Sequence, residues 1–151
     1  MNSLTDLEKY SFKKILVAFD GSVYARRALG VACSIADLCS GLVRVVFVVD
    51  IEKSSVVLAG TSINLESQLL DYGRRILGEA KEIVRKKFGF DIETVILKGH
   101  PAEKIIEEAE KWGADLIVMG SRGLGGFSRL LLGSVSDAVI RYSKVPVVIV
   151  R

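Results

Sequence analysis

The stretch Ala114-Asp115-Leu116-Ile117-Val118-Met119-Gly120-Ser121-Arg122-Gly123-Leu124-Gly125-Gly126-Phe127-Ser128-Arg129-Leu130-Leu131-Leu132-Gly133-Ser134-Val135-Ser136-Asp137 decides how this chain is read. It joins an apolar run, Ala114 to Met119, to a glycine-rich loop and then to a helix that opens at Ser134. A short apolar run bounded by turn residues reads as a strand buried on both faces, as in a parallel sheet. Glycines let backbone N–H groups approach an anion closely, and a helix N-terminus adds partial positive charge. Together they read as strand, phosphate-holding loop and helix.

Downstream, Ser134 with Asp137 three residues on resembles a capping box, and Val135, Ala138, Val139 and Tyr142 form an inward stripe. Val145–Val150 is the last strand, next to the C-terminus and expected at a sheet edge, where an apolar strand must be covered or paired. Upstream, Lys13–Asp20 reads as the first strand, with Ser22 as the cap of a helix whose inner stripe is Ala25, Ala28, Leu29, Ala32 and Ala36. That helix should end near Ser40-Gly41. Leu42–Val49 is the second strand, closing on Asp50, and residues 51–63 form a connection without a period.

From about Asn64 the stripe Leu65, Leu69, Tyr72, Ile76, Ala80, Ile83, Val84 predicts a long helix to Phe88, stopped by Gly89. Asp91–Lys98 is the third strand. Pro101 suits the first position of the next helix, with Ile105, Ile106, Ala109 and Trp112 inward and Glu103, Glu107, Glu108, Glu110 and Lys111 in water. The order is β-α-β-α-β-α-β-α-β. Such alternation implies a single-domain α/β fold, a doubly wound, Rossmann-like five-stranded parallel sheet with helices on both faces. Ligands of these sheets bind at the carboxyl ends of strands where the order reverses. With strands one and four flanking that point, Asp20 and Gly120 face each other across the crevice.

Composition narrows the function. At 151 residues one domain is expected, with residues 1–12 as an extension and 13–151 as the domain. Mean hydropathy is high, +0.37, but no apolar run approaches the ~20 residues that span a bilayer. The N-terminus lacks the apolar core of a secretory signal, so the expected location is cytoplasmic, without membrane attachment. Cys33 and Cys39 lie six positions apart on one helix, a spacing suited neither to metal nor to redox chemistry. A net charge of +3, with both signs interspersed, gives nucleic-acid binding no support.

The loop fails the better-known phosphate motifs. It has no lysine, as a Walker A loop requires, and it follows the fourth strand, where a dinucleotide fingerprint follows the first. What remains is Gly120-x2-Gly123-x9-Gly133-Ser134 together with Asp20. This pattern resembles the ATP-binding branch of the universal stress protein family. The resemblance runs from about Lys13 to Arg151, through Ile15–Ser22, Val48-Val49-Asp50, Gly99-His100-Pro101-Ala102, Ala114–Gly123 and Val145–Val150.

The resemblance implies the strand order 3-2-1-4-5 and a set of ligand roles. Asp20 would accept from the ribose or lie beside the adenosine, Ala18 and Val48 would offer backbone and apolar surface to adenine, and Met119 would belong to the same ATP-binding set. Gly120 and Gly123 would let the chain pass beneath ribose and phosphates. Gly133, Ser134 and Val135 would offer N–H groups to the phosphates, assisted by the Ser134 and Ser136 hydroxyls. Arg122 and Arg129 would add positive charge. Mg or Mn would arrive with the ATP, held by its phosphates and not by a protein metal site. Gly125 and Gly126 read as flexibility, Asp50 as a helix cap, and His100 as a capping or exposed residue.

No residue presents itself as nucleophile or general base, which phosphoryl transfer needs. The expectation is thus an ATP-binding, cytoplasmic stress-response or regulatory switch, hydrolysing slowly at most, read by an unidentified protein partner. The family also implies a homodimer through Val145–Val150. Alternatives are an AMP-binding protein, a structural dimer without nucleotide, or a nucleotidyl transferase of related fold. The last would require a histidine near the first strand, and residues 13–30 contain none.

Overall fold

The computed structural model describes residues 7–54, 65–124 and 132–151. Five strands and five helices follow one another as β1 (Lys14–Ala18), α1 (Val23–Cys39), β2 (Leu42–Asp50), α2 (Ile51–Ser54), α3 (Leu65–Phe88), β3 (Glu93–Gly99), α4 (Pro101–Trp112), β4 (Leu116–Gly120), α5 (Ser134–Tyr142) and β5 (Val147–Val150). All strand pairs are parallel, in the order β3-β2-β1-β4-β5. The α/β sheet and its order are those expected. β1 lies at the centre, so its end and the ends of β2 and β4 form the crevice.

Side chains of a strand alternate between faces, and β1 shows the result. Ile15 and Val17 join α1 and α3 in one core, while Leu16 joins α4 and α5 in the other. The small stripe Ala25, Ala28, Ala32 and Ala36 lets α1 lie close to the sheet. Ser22 caps α1, its Oγ accepting from the Ala25 N–H at 3.1 Å. Cys33 is buried in this core, which pushes its thiol up to about 12, while Cys39 is half-buried.

Several local expectations change. α5 is capped by the backbone of Gly133, with no side-chain cap, and the Asp137 carboxylate accepts from Arg141 instead. Tyr142 is 71% exposed and Ile83 51% exposed, whereas Leu77 is buried in its place on α3. Successive helix residues point about 100° apart, and Gly73, Ile76, Leu77, Ala80 and Val84 make the face of α3 that meets the sheet, which leaves Ile83 to one side of it. Glu108 is 7% exposed, not in water. Its Oε1 accepts from Arg44 Nη1 at 2.8 Å, and the Arg44 guanidinium sits 4.5 Å from the centre of the Trp112 ring. The connection after β2 begins with the turn α2, and residues 55–64 lie outside the described residues. No helix among the described residues is long and apolar enough to cross a membrane.

Candidate functional site

A cavity of about 440 Å³ opens over the carboxyl ends of β1, β2 and β4. Ala18 and Asp20 line it from β1 and its following turn, and Val48 from β2. Met119, Gly120, Arg122 and Gly123 line it from β4 and its loop, and Gly133, Ser134, Val135 and Ser136 from the start of α5. The structure thus brings the eleven described candidate residues into one space. Arg129, Gly125 and Gly126 lie outside the described residues.

Asp20 ties the two loops of the site together. Its Oδ1 accepts from the Ser22 N–H at 2.9 Å, tightening the turn into α1. Its Oδ2 accepts from the Leu124 N–H at 3.2 Å, across to the glycine loop. The turn passes through Gly21 at φ +84°, a conformation that side chains with Cβ rarely adopt. From α3, the Tyr72 hydroxyl donates to the Asp20 carbonyl at 2.7 Å. Burial, and then the charge of Asp20, raise the pKa of this phenol.

The glycines differ in what surrounds them. A Cβ on Gly120 would sit 2.7 Å from Tyr24 Cβ and 2.8 Å from the Tyr24 backbone carbon, so this glycine makes room for α1. A Cβ on Gly123 would sit 2.6 Å from Asp20 Oδ2. The close approach at both is therefore to the chain itself. Gly133 has φ −64° and ψ 155°, open to any residue, and its Cβ would meet nothing nearer than 3.5 Å among the described residues.

The start of α5 is held against β4. Ser121 carbonyl accepts from the Gly133 N–H at 2.8 Å, and Ser136 Oγ lies 3.0 Å from the carbonyls of Ser121 and Gly133. The Gly133 N–H and the Ser136 hydroxyl proton are thus committed to the loop. The first intrahelical donor of α5 is the Asp137 N–H, bonded to Gly133 carbonyl at 2.9 Å. The N–H groups of Ser134, Val135 and Ser136 precede it and have no helical partner. The exposed Ser134 hydroxyl is the one left to face the cavity. The Arg122 guanidinium lies 5.0 Å from the centre of the Tyr24 ring.

The opposite end is largely apolar, with Val46, Leu69, Pro101 and Ile105 around Val48, and Asp50 and Lys53 at the rim. Asp50 acts as a cap, its Oδ1 accepting from the Glu52 N–H at 3.0 Å. His100 begins α4 by its backbone only, and its Nδ1 lies 3.6 Å from Glu52 Oε1. Tyr72, Leu69, Lys53, Pro101 and Ile105 were not among the expected site residues. Their sequence signals are helix periodicity and a helix start, which place them on elements but not beside Asp20. Chemically, the cavity offers helix N–H groups and an arginine to an anion, a carboxylate to hydroxyls, and an apolar wall to a flat ring. Among the described residues no group of His, Cys, Asp and Glu could hold a metal ion.

The model of the universal stress protein family matches residues 11–151. Universal stress protein MJ0531 of Methanocaldococcus jannaschii is 38% identical over 152 aligned positions, covering 100% of this chain and 89% of its own. Among solved structures, universal stress protein UspA from Lactobacillus plantarum superposes with a TM-score of 0.80 at 25% identity, over 95% of this chain and 100% of that one. A universal stress protein in complex with cAMP gives 0.69 at 28% identity, over 93% and 98%. One from Archaeoglobus fulgidus in complex with dAMP gives 0.65 at 26% identity, over 93% and 98%.

Proposed function

Because this chain belongs to the universal stress protein family, we propose that it binds ATP in the cavity above β1 and works as a nucleotide-dependent regulatory switch. The observation that carries this reading is the start of α5, where three successive N–H groups without helical partners border the same cavity as Asp20 and Arg122. An anion there gains from the helix dipole and the N–H groups together. The phosphates lie at α5, the ribose hydroxyls at Asp20, and the base against Val48 and Met119. A divalent cation, Mg or Mn, is carried by the phosphate oxygens.

Among the described residues the site supplies phosphate donors but no positioned base, and on this reading hydrolysis is slow or absent. Occupancy by ATP or its product shifts a conformational equilibrium only through different affinities of the two states. The read-out is a surface met by a protein partner in the cytoplasm, and the edge strand β5 pairs with its twin in a homodimer. The relatives in complex with cAMP and dAMP favour a second reading, in which a monophosphate is the resident ligand. Extraction and chromatography of nucleotide from purified protein, followed by calorimetric titration with ATP and AMP, decides between them. Tighter ATP binding is expected, and no binding of either defeats the proposal.

A further inference from the structure

The cavity holds a second carboxylate whose two oxygens have different surroundings. Asp50 ends β2 and lines the space beside Val46 and Val48. Its Oδ1 is taken by the backbone of α2, accepting from the Glu52 N–H at 3.0 Å and the Lys53 N–H at 3.4 Å. Its Oδ2 has no hydrogen-bond partner among the described residues. The cap therefore fixes which oxygen is left over.

The sheet order places that oxygen. β1 separates β2 from β4, and adjacent strands lie about 4.8 Å apart, so β2 and β4 run roughly 10 Å apart across the sheet, while Asp50 stands a further ~10 Å along β2 beyond Phe47, the residue level with Gly120. The anion-holding start of α5 belongs to the β4 side, Asp20 follows β1 in the middle, and Asp50 closes the β2 side. A nucleotide laid across these three ends puts its base at Asp50.

Resting on the nucleotide reading above, we propose that Asp50 is a specificity-determining residue that selects a 6-aminopurine over a 6-ketopurine. A carboxylate oxygen only accepts hydrogen bonds. At position 6 it is matched by the exocyclic amino group of adenine and opposed by the keto oxygen of hypoxanthine or guanine, itself an acceptor, whereas the ring N–H of a ketopurine lies one position away. Lys53, on the same rim, carries three donors, which suit a ring nitrogen and a keto oxygen alike, so it does not discriminate.

The test compares ATP with inosine triphosphate, in which a keto group and a ring N–H replace the amino group and ring nitrogen. Titration calorimetry uses the full chain as wild type, Asp50→Asn and Lys53→Gln, each first checked for native circular dichroism. Wild type is expected to prefer ATP by about tenfold to a hundredfold, as for a matched base contact. Asparagine keeps the cap, because only its carbonyl oxygen can accept from the α2 N–H groups, and so its NH2 takes the place of Oδ2. Asp50→Asn is therefore expected to bring the two ligands within about threefold, while Lys53→Gln keeps the wild-type ratio. ATP and inosine triphosphate bound alike by wild type overturns this inference but leaves nucleotide binding intact. So does an unchanged ratio in Asp50→Asn, or a ratio that follows Lys53. Binding of neither ligand by wild type overturns both readings together.

Discussion

The two ends of the glycine motif do different work. At the β4 end, Gly120 lies so close to the backbone of α1 that the fold itself excludes a side chain, and one on Gly123 would have to push the Asp20 carboxylate aside. At the α5 end, Gly133 has ordinary dihedral angles and ordinary space among the described residues. On the nucleotide reading proposed above, Gly133 answers to what occupies the cavity. On that reading one motif combines a folding constraint with a binding constraint, and stability and affinity measurements separate them.

The largest expected effect is at Gly120. In Gly120→Ala the added methyl meets Tyr24 backbone, which cannot rotate away. A loss of about 3 kcal/mol is expected in urea unfolding, as for overpacking of a tight interior. For a domain of this size that corresponds to a fall of about 6–12 °C in Tm. A loss below about 0.5 kcal/mol, the level of a neutral surface change, would break the distinction at its stronger end.

Gly123→Ala comes next. Here the obstacle is the Asp20 carboxylate, which can swing aside by giving up its bond to the Leu124 N–H. The expected loss is about 1–2 kcal/mol. In an Asp20→Ala background the obstacle is gone, so the two losses should fall short of additivity by about 1 kcal/mol in a double-mutant cycle. Additive losses would mean that the loop strains elsewhere.

Tyr72→Phe probes the same turn from α3. It removes the hydroxyl that donates to the Asp20 carbonyl and keeps the ring packed against Phe47, whose centroid is 5.8 Å away. About 1 kcal/mol of stability should be lost. Faster amide exchange at Asp20–Ser22 is the accompanying sign. Unchanged exchange there would show that Asp20 and the glycine loop hold the turn without α3.

What was legible in the sequence follows from how local each signal is. The element order rests on short apolar runs and helical stripes, which act within a few residues, so β1 through β5 appear with their ends shifted by one or two positions. The meeting of Asp20 with the glycine loop was reachable because both lie at strand ends on one side of a parallel sheet. Partners far apart in sequence were not. Glu108 reads as one of several glutamates on a wet helix face, and nothing near it in sequence announces Arg44, 64 residues away. Tyr72 reads as a stripe residue until α3 is laid across the β1 turn. The steric role of Gly120 likewise needs the position of α1, which no spacing within the loop contains.

Gly133→Ala is the smallest change for the fold. Its backbone angles suit alanine, and the nearest described atoms are in ordinary contact, so stability should stay within about 0.5 kcal/mol of wild type. The lower entropy of an unfolded chain without that glycine even favours a slight gain. Affinity is the informative quantity. If phosphate lies against the start of α5, a methyl there displaces it from the N–H groups of Ser134 and Val135. Losing even one charge-assisted hydrogen bond costs about 1.5–3 kcal/mol, which is at least a tenfold rise in the Kd for ATP. Adenosine, which has no phosphate, should be affected far less. A variant that folds like wild type and binds ATP like wild type would show that Gly133 answers to neither fold nor ligand. Equal losses for ATP and adenosine would place the methyl against the nucleoside instead, and move the phosphates away from α5.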